Sequence, residues 1–236
     1  MLLNSRIKIY INSKFIFKTI KYLINESSSN LSFEKDLETY LSQKVFLVAQ
    51  ARVGIFYILK YLKEKKKIEF VYISPYTNID VINAIRYANL NIKFLDLDIK
   101  TGYPKNLRAK ITQPKKSCLI ITHLYSNTEM IEKLINETIN IKDLEIIEDT
   151  AICFGAKYKN IFLGQIFNFG VYSFGLVKNV STFFGGAVVS KDHEFKNYYK
   201  EQIKNNFHFP KKIIFKKVLF LFFVKLFFEN KIFYNF

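Results

Sequence analysis

The chain has 236 residues, half of them hydrophobic and 17% aromatic, which is enough apolar mass for a sizeable core and excludes a disordered polypeptide. Its 36 basic side chains against 20 acidic ones leave a formal charge of +16. The lysines are scattered, and no zinc-finger spacing or RNP-like aromatic motif accompanies them, so the excess reads as a solvated basic surface compatible with a phosphorylated substrate rather than a nucleic-acid site.

Residues 1–32 read as a basic leader that includes the polar link Glu26-Ser27-Ser28-Ser29-Asn30. Charges interrupt it too often for a signal-peptide core. From residue 33 helix and strand patterns alternate. FEKDLETYLSQ fits a helix, VFLVA (45–49) a short buried strand, and ARVGIFYILKYLKEKKK a helix with apolar positions at Ile55, Ile58, Leu59 and Leu62. IEFVYISPY is a strand stopped at Pro75, and NIDVINAIRYAN a helix capped by Asn78 or Asp80. The strands IKFLDLD and KSCLIITHLY follow, then the helix TEMIEKLINETI and the strand LEIIED.

Six of the eight glycines fall between Gly155 and Gly186, where GVYSF and GAVVS read as short strands around tight turns. Residues 201–236 end in an apolar, lysine-flanked stretch broken by Lys225, either a core helix without its neighbours or an interfacial amphipathic helix. No segment reaches the ~18 uninterrupted apolar residues of a membrane span.

This alternation predicts an α/β fold with a mainly parallel sheet covered by helices on both faces. Residues 33–200 are then the large, ligand-binding domain. In such sheets the site lies at the carboxyl ends of the strands. Gln50 to Arg52, Pro75 to Thr77, His123 to Asn127 and Glu148-Asp149 therefore share one rim. Cys118 and Cys153 sit in separate apolar runs and suit free thiols in a reducing compartment, with no metal cluster. No nucleotide-binding glycine fingerprint is present. His123 suits a structural strand end.

Two residues stand out chemically. Lys178 is alone among aromatics and glycines in FGVYSFGLVKNVSTFFGG, a setting that disfavours a charged amine and favours a nucleophilic one. Asp149 follows an apolar strand, where an acid either caps the next helix or faces a cation. A carboxylate for a pyridine nitrogen and a lysine for the aldehyde carbon are the two requirements of pyridoxal phosphate chemistry.

Order and spacing then carry a resemblance. IIEDTAICFGAKYKN followed by FGVYSFGLVKNVSTFFGGAVVS resembles the DegT/DnrJ/StrS sugar aminotransferases, whose pattern runs E-D-A-A-Q-x-x-G-A, S-F-x-x-x-K-N and G-G-A. Glu148-Asp149 with Gly155-Ala156, Ser173-Phe174 with Lys178-Asn179, and Gly185-Gly186-Ala187 are the matching positions. IITHLYSN, SPYTNIDVINAIRYANLNIKFLDLD and ARVGIFYILKYL are similar to further segments in family order, so the likeness spans roughly residues 40–195.

The resemblance implies an aspartate-aminotransferase-like large domain and pyridoxal 5'-phosphate as cofactor. It implies that Lys178 is bonded to the cofactor and shuttles a proton, that Asp149 keeps the ring nitrogen protonated, and that Ser173 holds the phosphate. Ala51 and Arg52 would offer phosphate contacts at a helix start. Tyr76 would replace the stacking aromatic whose position Asn78 occupies. Ile152 stands where the pattern has Gln or His, Gly175 where it has His, and Phe183-Phe184 where it has Gly-Glu, departures that fall on the substrate side.

The implied activity is amination of a nucleotide-linked keto-sugar for cell-surface polysaccharide, with an amino-acid donor, in a cytoplasmic homodimer. Lys178 favours this over the related dehydratase chemistry. The resemblance also implies a longer chain with a small C-terminal domain. The competing expectation is therefore a truncated, non-catalytic remnant or a cofactor-binding subunit held at the membrane surface by residues 211–236.

Overall fold

The computed structural model describes residues 30–206 apart from 101, 125–127, 176–177 and 183, together with residues 14, 17, 18, 20, 21, 215, 216, 218–220, 222 and 223. The elements in order are α1 (Asn30–Leu41), β1 (Val45–Val48), α2 (Ala51–Lys66), β2 (Phe70–Ile73), α3 (Ile79–Tyr87) and β3 (Asn91–Phe94). They continue as α4 (Leu107–Lys110), β4 (Ser117–Thr122), α5 (Thr128–Thr138) and β5 (Glu145–Asp149). The last are β6 (Lys157–Tyr158), β7 (Ile161–Phe162), β8 (Phe169–Ser173), β9 (Gly186–Ser190) and α6 (His193–Asn206). Most of the expected elements are present, close to their expected limits. The β6–β7 hairpin is additional, a pairing of two-residue strands too short to leave a periodic signal.

Seven strands form one sheet in the order β1-β9-β8-β5-β4-β2-β3. Pairings from β3 through β8 are parallel, whereas β9 is antiparallel to both β8 and β1. Six strands thus end on one rim, where β9 begins.

The alternation of side chains along each strand decides which helix covers which face. On one face, Phe46, Val48, Val71, Ile73, Ile120, Ile147, Val171 and Val188 pack against Ile55, Ile58, Leu59 and Leu62 of α2, with Ile82 and Ile85 of α3 and Phe195 of α6. The four α2 residues follow the 3.6-residue period and are at most 1% exposed, each contributing about 1.5–3 kcal/mol by leaving water. On the other face, Tyr72, Leu119, Ile121 and Ile146 meet Leu107 of α4 and Leu134 of α5. There too Val45, Tyr172 and Ala187 meet Leu37 and Leu41 of α1. Both faces are covered, as the near-continuous apolar strands require.

Helix limits follow from their chemistry. Asn78 caps α3, its side chain accepting the Asp80 N–H at 2.9 Å, which settles the cap on Asn78. Lys63, Lys65 and Lys66 close α2 where the helix dipole favours cations. Among the described residues, no helix is long and apolar enough to cross a membrane, and no group of side chains could hold a metal. Most of residues 1–32 and 207–236, with the expectations placed on them, lie outside the described residues.

Candidate active site

The register of the central strands assembles the site from residues far apart in sequence. Thr122 of β4 pairs with Asp149 of β5, and Asp149 with Val171 of β8. Paired residues of parallel strands point the same way, and Ser173 lies two positions beyond Val171. Thr122, Asp149 and Ser173 therefore project from one face, at the rim. Ser173 in turn pairs with Gly186 of β9, and Gly186 with Val48, the last residue of β1, just ahead of the start of α2.

Asp149 is 5% exposed, and one carboxylate oxygen accepts the Ala151 N–H at 3.1 Å. Burial pushes its carboxyl above the usual range, against the lowering pull of the Ala151 N–H and of nearby Lys178 and His123. Among the described residues the carboxylate is in no ion pair. Beside it, the Thr122 hydroxyl is buried without a hydrogen-bond partner among the described residues, as is that of Thr77 on the β2–α3 loop of the same rim. Buried orphan hydroxyls are uncommon and call for a ligand or water. Sequence reasoning missed Thr122; its only signal is a polar residue closing the apolar run SCLIIT.

Lys178 is carried by a loop tied at several points. Its N–H donates to the Gly175 carbonyl at 3.1 Å, and Thr182 N–H to Phe174 O at 3.0 Å. The Asn179 amide donates to Phe154 O at 2.6 Å. A Cβ placed on Gly175 would stand 3.7 Å from Ser173 Oγ and 3.8 Å from Lys178 Cγ, so these two side chains flank one bare glycine. Lys178 is half-buried, and Asn179 and Val180 are exposed. The setting of Lys178 among aromatics and glycines is thus more open than the sequence suggests. The reason is alternation: Phe174, 1% exposed, turns to the opposite face and packs with Phe33 and Phe154.

The start of α2 closes the other side. Gln50, its N-terminal flanking residue, makes no side-chain cap, and it bridges to Gly185, whose φ of +109° suits glycine alone. A Cβ on Gly186 would lie 2.9 Å from Ala51 N and 2.6 Å from Tyr172 O. Gly186 thus leaves room beside the uncapped N–H groups of Ala51 and Arg52, a setting that favours an anion. Arg52 is already engaged: its guanidinium forms an ion pair with Asp80, and its Nε donates to Gln50 Oε1 at 2.7 Å. Tyr76 lies on the same rim and is 60% exposed, and its N–H donates to Ser74 Oγ at 3.0 Å.

Underneath, Glu148 points to the other face and is completely buried. It accepts the N–H groups of Gly164 at 2.8 Å and Phe167 at 2.9 Å, and lies 3.1 Å from His123 Nε2. His123 Nδ1 meets the Tyr103 hydroxyl at 2.8 Å. This saturated network gives His123 a structural place, as expected. Cys118 is buried and Cys153 half-buried.

A buried carboxylate, two orphan hydroxyls, an uncapped helix start beside a bare glycine, and a tethered lysine fit a ring with a basic nitrogen, an aldehyde and a phosphate. The pattern of the DegT/DnrJ/EryC1/StrS aminotransferase family matches residues 19–207, and the chain belongs to that family. GDP-perosamine synthase of Escherichia coli O157:H7 is 32% identical over 124 residues, 52% of this chain and 34% of that protein. Among solved structures, the sugar aminotransferase CalS13 of Micromonospora echinospora aligns with a TM-score of 0.71 at 20% identity, covering 86% of this chain and 57% of its own. The Escherichia coli GDP-4-keto-6-deoxy-D-mannose-3-dehydratase with bound hydrated PLP aligns at 0.65 and 18% identity, covering 80% and 52%. These two share the fold, and the chain spans between about a third and somewhat over half of the lengths of the three proteins.

Proposed function

We propose, from this family membership, that the chain forms the cofactor half of a pyridoxal 5'-phosphate aminotransferase acting on a nucleotide-linked keto-sugar. The observation that carries this reading is the placement of a buried, partner-poor Asp149 on the same sheet face as Ser173, within electrostatic reach of Lys178. The GDP-linked sugar in the name of its Escherichia coli relative supports the substrate class. Residues 33–200 make up the cofactor-binding unit. An amino acid serves as amino donor, and the assembly is a cytoplasmic homodimer feeding cell-surface polysaccharide synthesis.

When bound, the cofactor supplies an electron sink for negative charge developing beside the amine nitrogen. Asp149 would pair with the ring nitrogen and keep it protonated. Ser173 Oγ and the N–H groups of Ala51 and Arg52 hold the phosphate. Thr122 and Thr77 would offer hydroxyls to the cofactor's polar substituents, and Tyr76 would stack on its ring. Lys178 Nζ would hold the cofactor through its aldehyde carbon and, as a free amine, would take up and return a proton. Ile152, 48% exposed at the turn after β5, leaves the adjoining substrate side apolar.

Incubation with pyridoxal phosphate should give a visible absorption band. Borohydride reduction followed by peptide mass spectrometry should place the pyridoxyl mass on Lys178, with Lys178→Ala abolishing both signals. A colourless protein, or label on another lysine, would refute the assignment.

A further inference from the structure

We propose that Asp80 is a resident counter-anion of the phosphate subsite, which holds Arg52 in the free protein and sets phosphate affinity by competing for its guanidinium. The proposal rests on the reading of the site given above. Arg52 is the second residue of α2, where the unpaired N–H groups of the first turn make the potential positive and a cation is unfavourable. Such a cation calls for a nearby anion. Asp80 supplies it from the first turn of α3, where the dipole favours a carboxylate, and Asn78 fixes the Asp80 backbone N–H at 2.9 Å. Two helix starts, 28 residues apart in sequence, thus converge on one ion pair at the rim.

The pair is suited to exchange. Its side chains are 45% and 40% exposed, so solvent screens their attraction and separating them costs little. A phosphate dianion offers Arg52 more charge than one carboxylate and two oxygens for bidentate contact. While Asp80 holds the guanidinium, however, the arginine is occupied and a negative charge stands near the arriving phosphate. Both effects weaken phosphate uptake and leave recognition of a ring alone untouched. Asp80 is therefore a positioning residue that acts through Arg52.

The test titrates pyridoxal phosphate and phosphate-free pyridoxal, by absorbance and fluorescence, into the full chain and into Asp80→Asn, Arg52→Ala and the double variant. Circular dichroism checks folding of each, and if Asp80→Asn disturbs the start of α3, Asp80→Ser carries the same comparison. Asp80→Asn should tighten pyridoxal phosphate about 3- to 10-fold at low salt, with the gain shrinking as ionic strength rises and pyridoxal affinity unchanged. The gain should vanish in the Arg52→Ala background. Unchanged or weaker phosphate-ligand binding by Asp80→Asn overturns the proposal while leaving the cofactor assignment intact. Failure of the unsubstituted chain to bind pyridoxal phosphate removes both.

Discussion

Replacing Asp149 with Asn should make the cofactor-free protein more stable and the cofactor-bound protein harder to form. The amide is nearly isosteric with the carboxylate, and its oxygen can still accept the Ala151 N–H, so packing and that hydrogen bond persist. What disappears is a buried charge whose folded-state pKa lies above its ordinary value because of desolvation. The sign follows from proton counting. Below the unfolded-state pKa both states are protonated and the group costs nothing. As pH rises through that value toward the raised folded value, the unfolded chain ionises first and stability is lost; above both, the cost is constant.

A tenfold change in proton affinity between the two states is worth about 1.4 kcal/mol. The Ala151 N–H, Lys178 and His123 work against burial, so the gain at neutral pH should be that of an ordinary stabilising substitution, on the order of 1 kcal/mol. Urea denaturation of both proteins without cofactor, at acidic and neutral pH, measures it: the difference should open above the carboxylate range and close below it. Cofactor affinity should fall roughly 10- to 150-fold, the worth of one charge-assisted hydrogen bond. An Asn variant that is less stable at neutral pH, or a difference independent of pH, would refute the desolvation argument.

Ser173→Ala should weaken pyridoxal phosphate about 10-fold while leaving pyridoxal affinity and the urea midpoint unchanged, since its hydroxyl is assigned to the phosphate alone. Gly170→Ala should cost about 3 kcal/mol or more in urea denaturation, because its Cβ would fall 1.9 Å from the Gly164 carbonyl oxygen and displace the loop that satisfies Glu148. Gly102→Ala is the control. It meets nothing within 4 Å and should cost only about 1 kcal/mol for its φ of +69°.

Much of this molecule is legible along the chain because its elements are locally self-consistent. The apolar period of α2, the Asn78 cap and the apolar runs of β2, β4, β5 and β8 each follow from neighbouring residues. The spacing of Glu148-Asp149, Ser173-Phe174 and Lys178-Asn179 is also local, which is why it carried the family resemblance. Arg52 was placed near the phosphate for the same reason, although its engagement by Asp80 was not visible.

Other features needed the folded chain. GAVVS reads identically whether its strand runs with or against its neighbours, and only the pairing with β1 and β8 makes β9 antiparallel. The opposite roles of adjacent Glu148 and Asp149 come from the two-residue alternation of a strand, one turned to a saturated network and the other to the site. Thr122 gains its meaning from standing beside Asp149, and Arg52 from meeting Asp80. Short-range periodicity was enough to set the elements and the covered, mainly parallel sheet. Which carboxylate is in no ion pair, which hydroxyls lack partners and which acid holds the arginine are matters of burial and charge proximity, and those depend on residues that only the sheet register brings together.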